Sequence, residues 1–282
     1  MMMKNYMLGL YEKSMPETLN WEEKLQEAKV ANFDFVEMSI DETDAKLARL
    51  DMTKTEKKQL CEVMETVGIP IRTICLSGHR KYPLGSNDAE TRVRSLEIME
   101  KAIDLACDLG VRIIQLAGYD VYYEEASVQT RAAFEENLAK CTLMAAKKGV
   151  LLGFETMETE FMNTMKKAMY YVNKIDSPYL HVYPDAGNLT NAAVMYQTDI
   201  FDDIKSGAGH IVACHLKETV PGKYREIPFG SGHVDFKAIV DTTWTFGVRT
   251  YVAEFWYTGS EAWQSDLKEV NHFLSANFLD KI

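Results

Sequence analysis

The stretch Ile211-Val-Ala-Cys-His-Leu-Lys-Glu218 decides the reading of the fold. It is an apolar run of strand length that ends in an imidazole, an ammonium and a carboxylate. Residues two apart share a face of a strand, so Ala213, His215 and Lys217 point one way and Val212, Cys214 and Leu216 the other. Three other runs finish alike: Val150-Leu-Leu-Gly-Phe-Glu155, Leu180-His-Val-Tyr-Pro-Asp185 and Tyr251-Val-Ala-Glu254. Each delivers one ionisable residue at its carboxyl end. Two glutamates, an aspartate and a histidine on successive parallel strands form a mixed oxygen and nitrogen set suited to one divalent metal ion. Glu155, Asp185, His215 and Glu254 are therefore the candidate ligands.

Working outward, eight short apolar runs recur near 6–11, 33–40, 71–77, 111–118, 150–155, 180–185, 211–216 and 250–256. Between them lie patterns of helical period, clearest over 91–109, where Val93, Leu96, Met99, Ile103, Ala106 and Leu109 recur at three and four residues. Similar patterns cover 21–31, 53–67, 127–148, 161–175, 199–205, 236–246 and 260–278. Gly68, Gly110, Gly149 and Gly247 each stand just before the next strand, as helix C-caps do. Near-continuous apolar strands are buried on both faces, which fits a parallel sheet covered by helices. Eight strand-helix units in this length predict a single (β/α)₈ barrel domain over 1–282. Gly9-Leu-Tyr-Glu-Lys-Ser14 after the first strand lacks the glycine fingerprint of an open dinucleotide-binding sheet.

Hydrophobic residues make up 46% of the 282, enough for one large core. Lys and Arg number 31 against 42 Asp and Glu, a net charge of −11. That sign argues against nucleic acid or an anionic membrane as a partner. No apolar run exceeds strand length, and Met1-Met-Met-Lys-Asn5 has no apolar signal core, so a cytoplasmic protein is expected. The five cysteines, 61, 75, 107, 141 and 214, form no CxxC pair and read as reduced core residues.

Singly, each proposed ligand has a plainer explanation: Glu155 and Asp185 as helix caps, His215 as a bonded core histidine, Glu254 as half of an ion pair. Together they stand on adjacent strands of the carboxyl-terminal rim, where barrel enzymes keep their chemistry. Glu12 and Glu37 end the first two strands on that rim. Lys13 follows strand one, His79, Arg80 and Lys81 follow strand three, and Lys217 ends strand seven. A chain this acidic needs such local cations to hold an anionic ligand. Lys13 and Arg80, with His79 as a donor, are the candidate phosphate contacts, since a guanidinium fork engages two phosphate oxygens at once.

Several ordered runs carry a resemblance along almost the whole chain: Gly9-Leu-Tyr-Glu-Lys13, Phe33-Asp-Phe-Val-Glu-Met-Ser39, Leu76-Ser-Gly-His-Arg80, Ile114-Gln-Leu-Ala-Gly-Tyr-Asp-Val-Tyr-Tyr123, Tyr183-Pro-Asp-Ala-Gly-Asn188 and His215-Leu-Lys-Glu-Thr219 followed by Pro228-Phe-Gly230. They resemble the L-xylulose 5-phosphate (L-ribulose 5-phosphate) 3-epimerases, some of which bear the name hexulose-6-phosphate isomerase. Their wider relatives are xylose-isomerase-like barrels, including the ketose 3-epimerases and endonuclease IV. The resemblance implies a phosphorylated ketose as substrate and one divalent metal, zinc, manganese, cobalt or magnesium, on Glu155, Asp185, His215 and Glu254. Free-ketose epimerases commonly carry a histidine three residues after the aspartate, where this chain has Asn188. Glu155 and Glu254 are expected to alternate as acid and base, with Glu37, Asn188 and Lys217 as further substrate contacts. A homodimer is the expected assembly. The rival chemistry on the same barrel is phosphodiester cleavage of the endonuclease IV type.

Overall fold

Among the described residues, eight strands follow the apolar runs: β1 Met7–Tyr11, β2 Phe35–Ile40, β3 Ile71–Leu76, β4 Ile113–Leu116, β5 Leu151–Glu155, β6 Leu180–Tyr183, β7 Cys214–Leu216 and β8 Thr250–Ala253. The structure is a computed structural model that describes residues 4–281, so Met1–Met3 and Ile282 lie outside the described residues. The α-helices are α1 Trp21–Val30, α2 Asp44–Leu47, α3 Lys54–Val67, α4 Ala89–Leu109, α5 Val128–Lys148, α6 Met165–Ile175, α7 Ala186–Tyr196, α8 Ile200–Lys205, α9 Phe236–Thr245 and α10 Trp263–Ser275. All strand pairs are parallel, in the order β6-β5-β4-β3-β2-β1-β8-β7. Only isolated bridges, Val182 with Ile211 and Asp185 with His215, join β6 to β7 and close the (β/α)₈ barrel.

Alternation divides each strand between two cores. Tyr11, Phe35, Cys75, Tyr183, Ala213 and Val252 fill the barrel interior. Leu8, Leu10, Val36, Met38, Cys214 and Leu216 face the helices in the larger outer core. Val212 packs against the interior as well, because β7 becomes regular only at Cys214. All five cysteines are unpaired. No helix among the described residues is long and apolar enough to cross a membrane.

Helix ends follow local chemistry. Asn20, Thr53 and Ser127 form capping boxes with Glu23, Glu56 and Thr130, each satisfying a backbone N–H that the first turn leaves free. Gly68, Gly110 and Gly149 end their helices with φ of 78°, 75° and 69°. Gly247, with φ 86°, follows the cap Phe246 of α9. The sequence reading has no helix over Ala186–Tyr196, yet α7 lies there. Gly187, Asn188 and Asn191 are weak helix formers and the segment carries no charge, so the apolar stripe is faint. Packing decides instead: Ala186, Leu189 and Ala192 are buried.

Glu12 ends β1 but does not reach a ligand cleft. It is fully buried, with Arg49 2.5 Å and Lys24 3.3 Å away, Lys46 in direct contact, and the Ser39 N–H donating at 2.9 Å. Burial raises its pKa, but Arg49, Lys24 and Lys46 outweigh this and hold it at about 2. The cluster ties the loops after β1 and β2 together. Removing the only anion would leave three cations facing one another, so Glu12→Ala should cost about 3–5 kcal/mol in urea unfolding. The sign with pH follows: stabilisation present above the ordinary carboxylate value of 4.5 should fade as pH falls towards about 2. Loss of less than about 1 kcal/mol, the value of an exposed pair, would contradict this account.

Candidate active site

The four proposed ligands converge. One donor atom each from Glu155, Asp185, His215 and Glu254 lies within 4.8 Å of the others, and all four residues are buried. Glu155 is the last residue of β5 and His215 the middle of β7. Glu254 immediately follows β8, its N–H donating to Leu216 O at 3.0 Å. Asp185 lies past the end of β6 as the N-cap of α7, with one oxygen accepting from Asn188 N at 2.6 Å. The capping role is real and leaves the other oxygen, Oδ2, for the cluster. Gly187 lets α7 start against β7: a Cβ there would lie 2.5 Å from Thr219 Cγ2 and 2.8 Å from Lys217 O.

The donor set fits a divalent cation on two counts. Asp185 Oδ2 and Glu254 Oε2 are buried without a hydrogen bond. Lys217 Nζ stands 3.3 Å from both, off the hydrogen-bonding angle. Four buried carboxyls, counting Glu37, face one ammonium and one imidazole, so ionising all four calls for a further cation. Oxygen donors with one imidazole suit manganese, magnesium, cobalt or zinc.

Burial and the Glu254 charge push Glu155 upward, and burial raises Asp185 well above the usual range. Burial also raises Glu254, but the Lys217 ammonium and His215 outweigh it and hold that carboxyl low. For Lys217, Asp185 and Glu254 overcome burial and keep it charged. Gln115, a polar residue on the inner face of β4, donates to Glu155 Oε2.

Two expected contacts point elsewhere. Glu37 is fully buried in the barrel interior and bonded to His215, Thr73 and Tyr183, so it does not reach a substrate. His79 is buried with Nε2 3.1 Å from Ser95 O on α4, and burial lowers its pKa to about 4, so it offers no phosphate donor. Alternation and loop position placed both on the rim without revealing those partners.

Glu155 and Glu254, two of the four proposed ligands, line a narrow cleft of ≈ 50 Å³. Lys13, Arg80, Asn188 and Lys217 all line it. Lys13 is paired with Asp41. Arg80 lies over the rings of Tyr119 and Tyr122, at 5.7 and 4.8 Å, with its Nε unpartnered. Asn188 donates to Thr156 O at 2.7 Å and leaves a buried, unpartnered Oδ1. A wider groove of ≈ 470 Å³ shares Lys217, Glu254 and Trp256, but the smaller cleft also holds Glu155, Arg80 and Arg225 and is the candidate site.

Sequence reasoning missed Arg225 and Glu158. Arg225, in the long loop between β7 and α9, stacks over Trp256 at 5.2 Å and lines the cleft. Glu158, three residues past Glu155, lines it too and accepts from Tyr119 Oη at 2.7 Å. The signal was their place on strand-to-helix loops of the catalytic rim.

Comparison with known proteins agrees with this architecture. Residues 25–271 match the family model described as xylose isomerase-like TIM barrel. The chain is 41% identical over 277 residues to L-ribulose-5-phosphate 3-epimerase UlaE of Salmonella paratyphi A, covering 98% of this chain and 96% of that protein. UlaE of Escherichia coli O139:H28 matches to the same extent. Among solved structures, a D-allulose 3-epimerase from Methylomonas sp. superposes with a TM-score of 0.78 at 14% identity, covering 97% of this chain and 98% of that one. An L-ribulose 3-epimerase superposes with a TM-score of 0.71 at 19% identity, over 96% and 92%. The chain is an enzyme of the isomerase class and belongs to the xylose isomerase-like TIM barrel family, among the L-ribulose-5-phosphate 3-epimerases.

Proposed function

We propose that the enzyme inverts carbon 3 of a ketopentose 5-phosphate, interconverting L-xylulose 5-phosphate and L-ribulose 5-phosphate. The observation that carries this reading is the entry of two carboxylates, Glu155 from β5 and Glu254 after β8, into one cleft. Inversion needs a proton taken from one face of carbon 3 and another delivered to the opposite face, and two carboxyls suffice. Glu155 and Glu254 alternate as base and acid. Glu155, Asp185, His215 and Glu254 would hold a divalent cation, which when bound supplies Lewis-acid stabilisation of the negative charge developing beside carbon 3.

The remaining residues bind and orient. Lys217 stays with Asp185 and Glu254 and keeps the site's charge in balance. Asn188 Oδ1 is a ready acceptor for a sugar hydroxyl. The phosphate goes to the mouth, where Arg80 and Arg225 present guanidinium groups. Lys13, paired with Asp41, contributes less than the sequence suggested.

Proton NMR of the metal-loaded enzyme with L-xylulose 5-phosphate in heavy water should show loss of the carbon 3 proton signal as the ribulo epimer forms. Exchange at carbon 1 with an aldose product would identify an aldose–ketose isomerase instead. Glu155→Gln and Glu254→Gln should each lower turnover about 10²- to 10⁴-fold, the usual contribution of a general acid or base. Near-normal turnover in either would remove that residue from the scheme.

Arg80→Ala should raise the KM for the phosphorylated ketose about 10- to 100-fold, the worth of a charge-assisted hydrogen bond, while leaving that for the free ketose unchanged. An unaltered ratio of the two constants would exclude Arg80 from phosphate binding.

A further inference from the structure

Glu37 is a buried carboxylate of the barrel interior for which neither the ligand set nor the proton-transfer scheme has a task. Both its oxygens are engaged. Oε1 lies 2.6 Å from His215 Nε2, while Oε2 accepts from Thr73 Oγ1 at 2.8 Å and Tyr183 Oη at 2.9 Å. These four residues stand on β2, β3, β6 and β7, so the network crosses the interior directly beneath the cleft. Tyr183 also packs edge-on against the imidazole, with ring centroids 4.8 Å apart and planes inclined by 62°.

The chemistry of the pair sets the tautomer. An ionised carboxylate only accepts hydrogen bonds, so the nitrogen facing Glu37 carries the hydrogen. In the neutral imidazole the lone pair then resides on Nδ1, which lies 3.4 Å from Glu155 Oε1 and 3.3 Å from Glu254 Oε2. We infer that Glu37 is a positioning residue: braced by Thr73 and Tyr183, it fixes the ring angle and tautomer of His215 so that Nδ1 presents its lone pair to a divalent cation. Carboxylate partners of this kind orient histidine ligands and raise their basicity. The inference rests on the metal-centre reading above and adds the residue that makes His215 a competent ligand.

The test is calorimetric titration of Mn²⁺ into the metal-stripped full-length enzyme, alongside the visible spectrum of the Co²⁺-loaded form. Glu37→Gln should weaken Mn²⁺ binding about 10- to 100-fold, the usual cost of losing such a partner. It should also shift the Co²⁺ bands, with the KM for the ketose phosphate unchanged at saturating metal. The double variant Thr73→Val/Tyr183→Phe leaves Glu37 in place but unbraced, so it should weaken binding in the same direction. It carries the test if Glu37→Gln fails to fold. Wild-type affinity and an unmoved Co²⁺ spectrum in the folded variants would overturn the role of Glu37 while leaving the metal centre intact. A wild-type enzyme that binds no Mn²⁺, or His215→Ala binding as tightly as wild type, would overturn both.

Discussion

Crowding of buried carboxyls at the carboxyl end of the barrel is the constraint on which the site depends. Glu37, Glu155, Asp185 and Glu254 are all at least 95% buried, and one ammonium and one imidazole stand against them. A folded protein does not tolerate that imbalance without a use for it, because each buried charge carries a desolvation penalty of several kcal/mol. Spreading the four over β2 and three strands of the other half lets each be held by a separate backbone segment. The strain of bringing like charges together thus falls on a rigid parallel sheet.

The closing seam of the barrel shows how close this arrangement runs to the limit. Seven strand pairs form ladders, that of β2 with β3 shifting register between Val36 and Glu37, while β6 and β7 meet only through isolated bridges. One of those bridges pairs Asp185 with His215, two members of the ligand set. The chain leaves regular extended geometry there because Asp185 must both cap α7 and turn its second oxygen inward. A cation held by the four donors would link β5, β6, β7 and β8 across the thinnest seam of the sheet, so binding and barrel integrity support one another.

The barrel and the convergence of Glu155, Asp185, His215 and Glu254 were legible in the sequence for the same reason: both rest on short-range periodicity. An apolar run of strand length ending in Glu155 or Glu254 announces its own geometry, and alternation put His215 on the inner face with Ala213. Contacts made across the interior leave no such trace. Glu37 sits on the rim by position, yet its partner His215 is 178 residues away. His79 reads as a loop histidine until α4 brings the Ser95 carbonyl to it. Helix α7 escaped detection because tertiary packing overrides a segment of weak helix formers, although its cap, Asp185, was readable as one.

The position of Lys217 separates the cations of the site into two kinds. Directly after β7 and the most central cation of the rim, it is the obvious partner for an anionic substrate on sequence grounds. The structure buries it between Asp185 and Glu254, and drawing it away would leave two carboxylates facing each other, at a cost of about 3–5 kcal/mol for a broken buried pair. A phosphate could offset that only by entering the carboxylate cluster itself, where like charge repels it. On the proposed function, the anionic end of a sugar phosphate would therefore be met at the mouth, by guanidinium groups on loops. The interior ammonium is paired with the carboxylates, and loop residues such as Arg80 and Arg225 would then set which anion enters without disturbing the strands beneath.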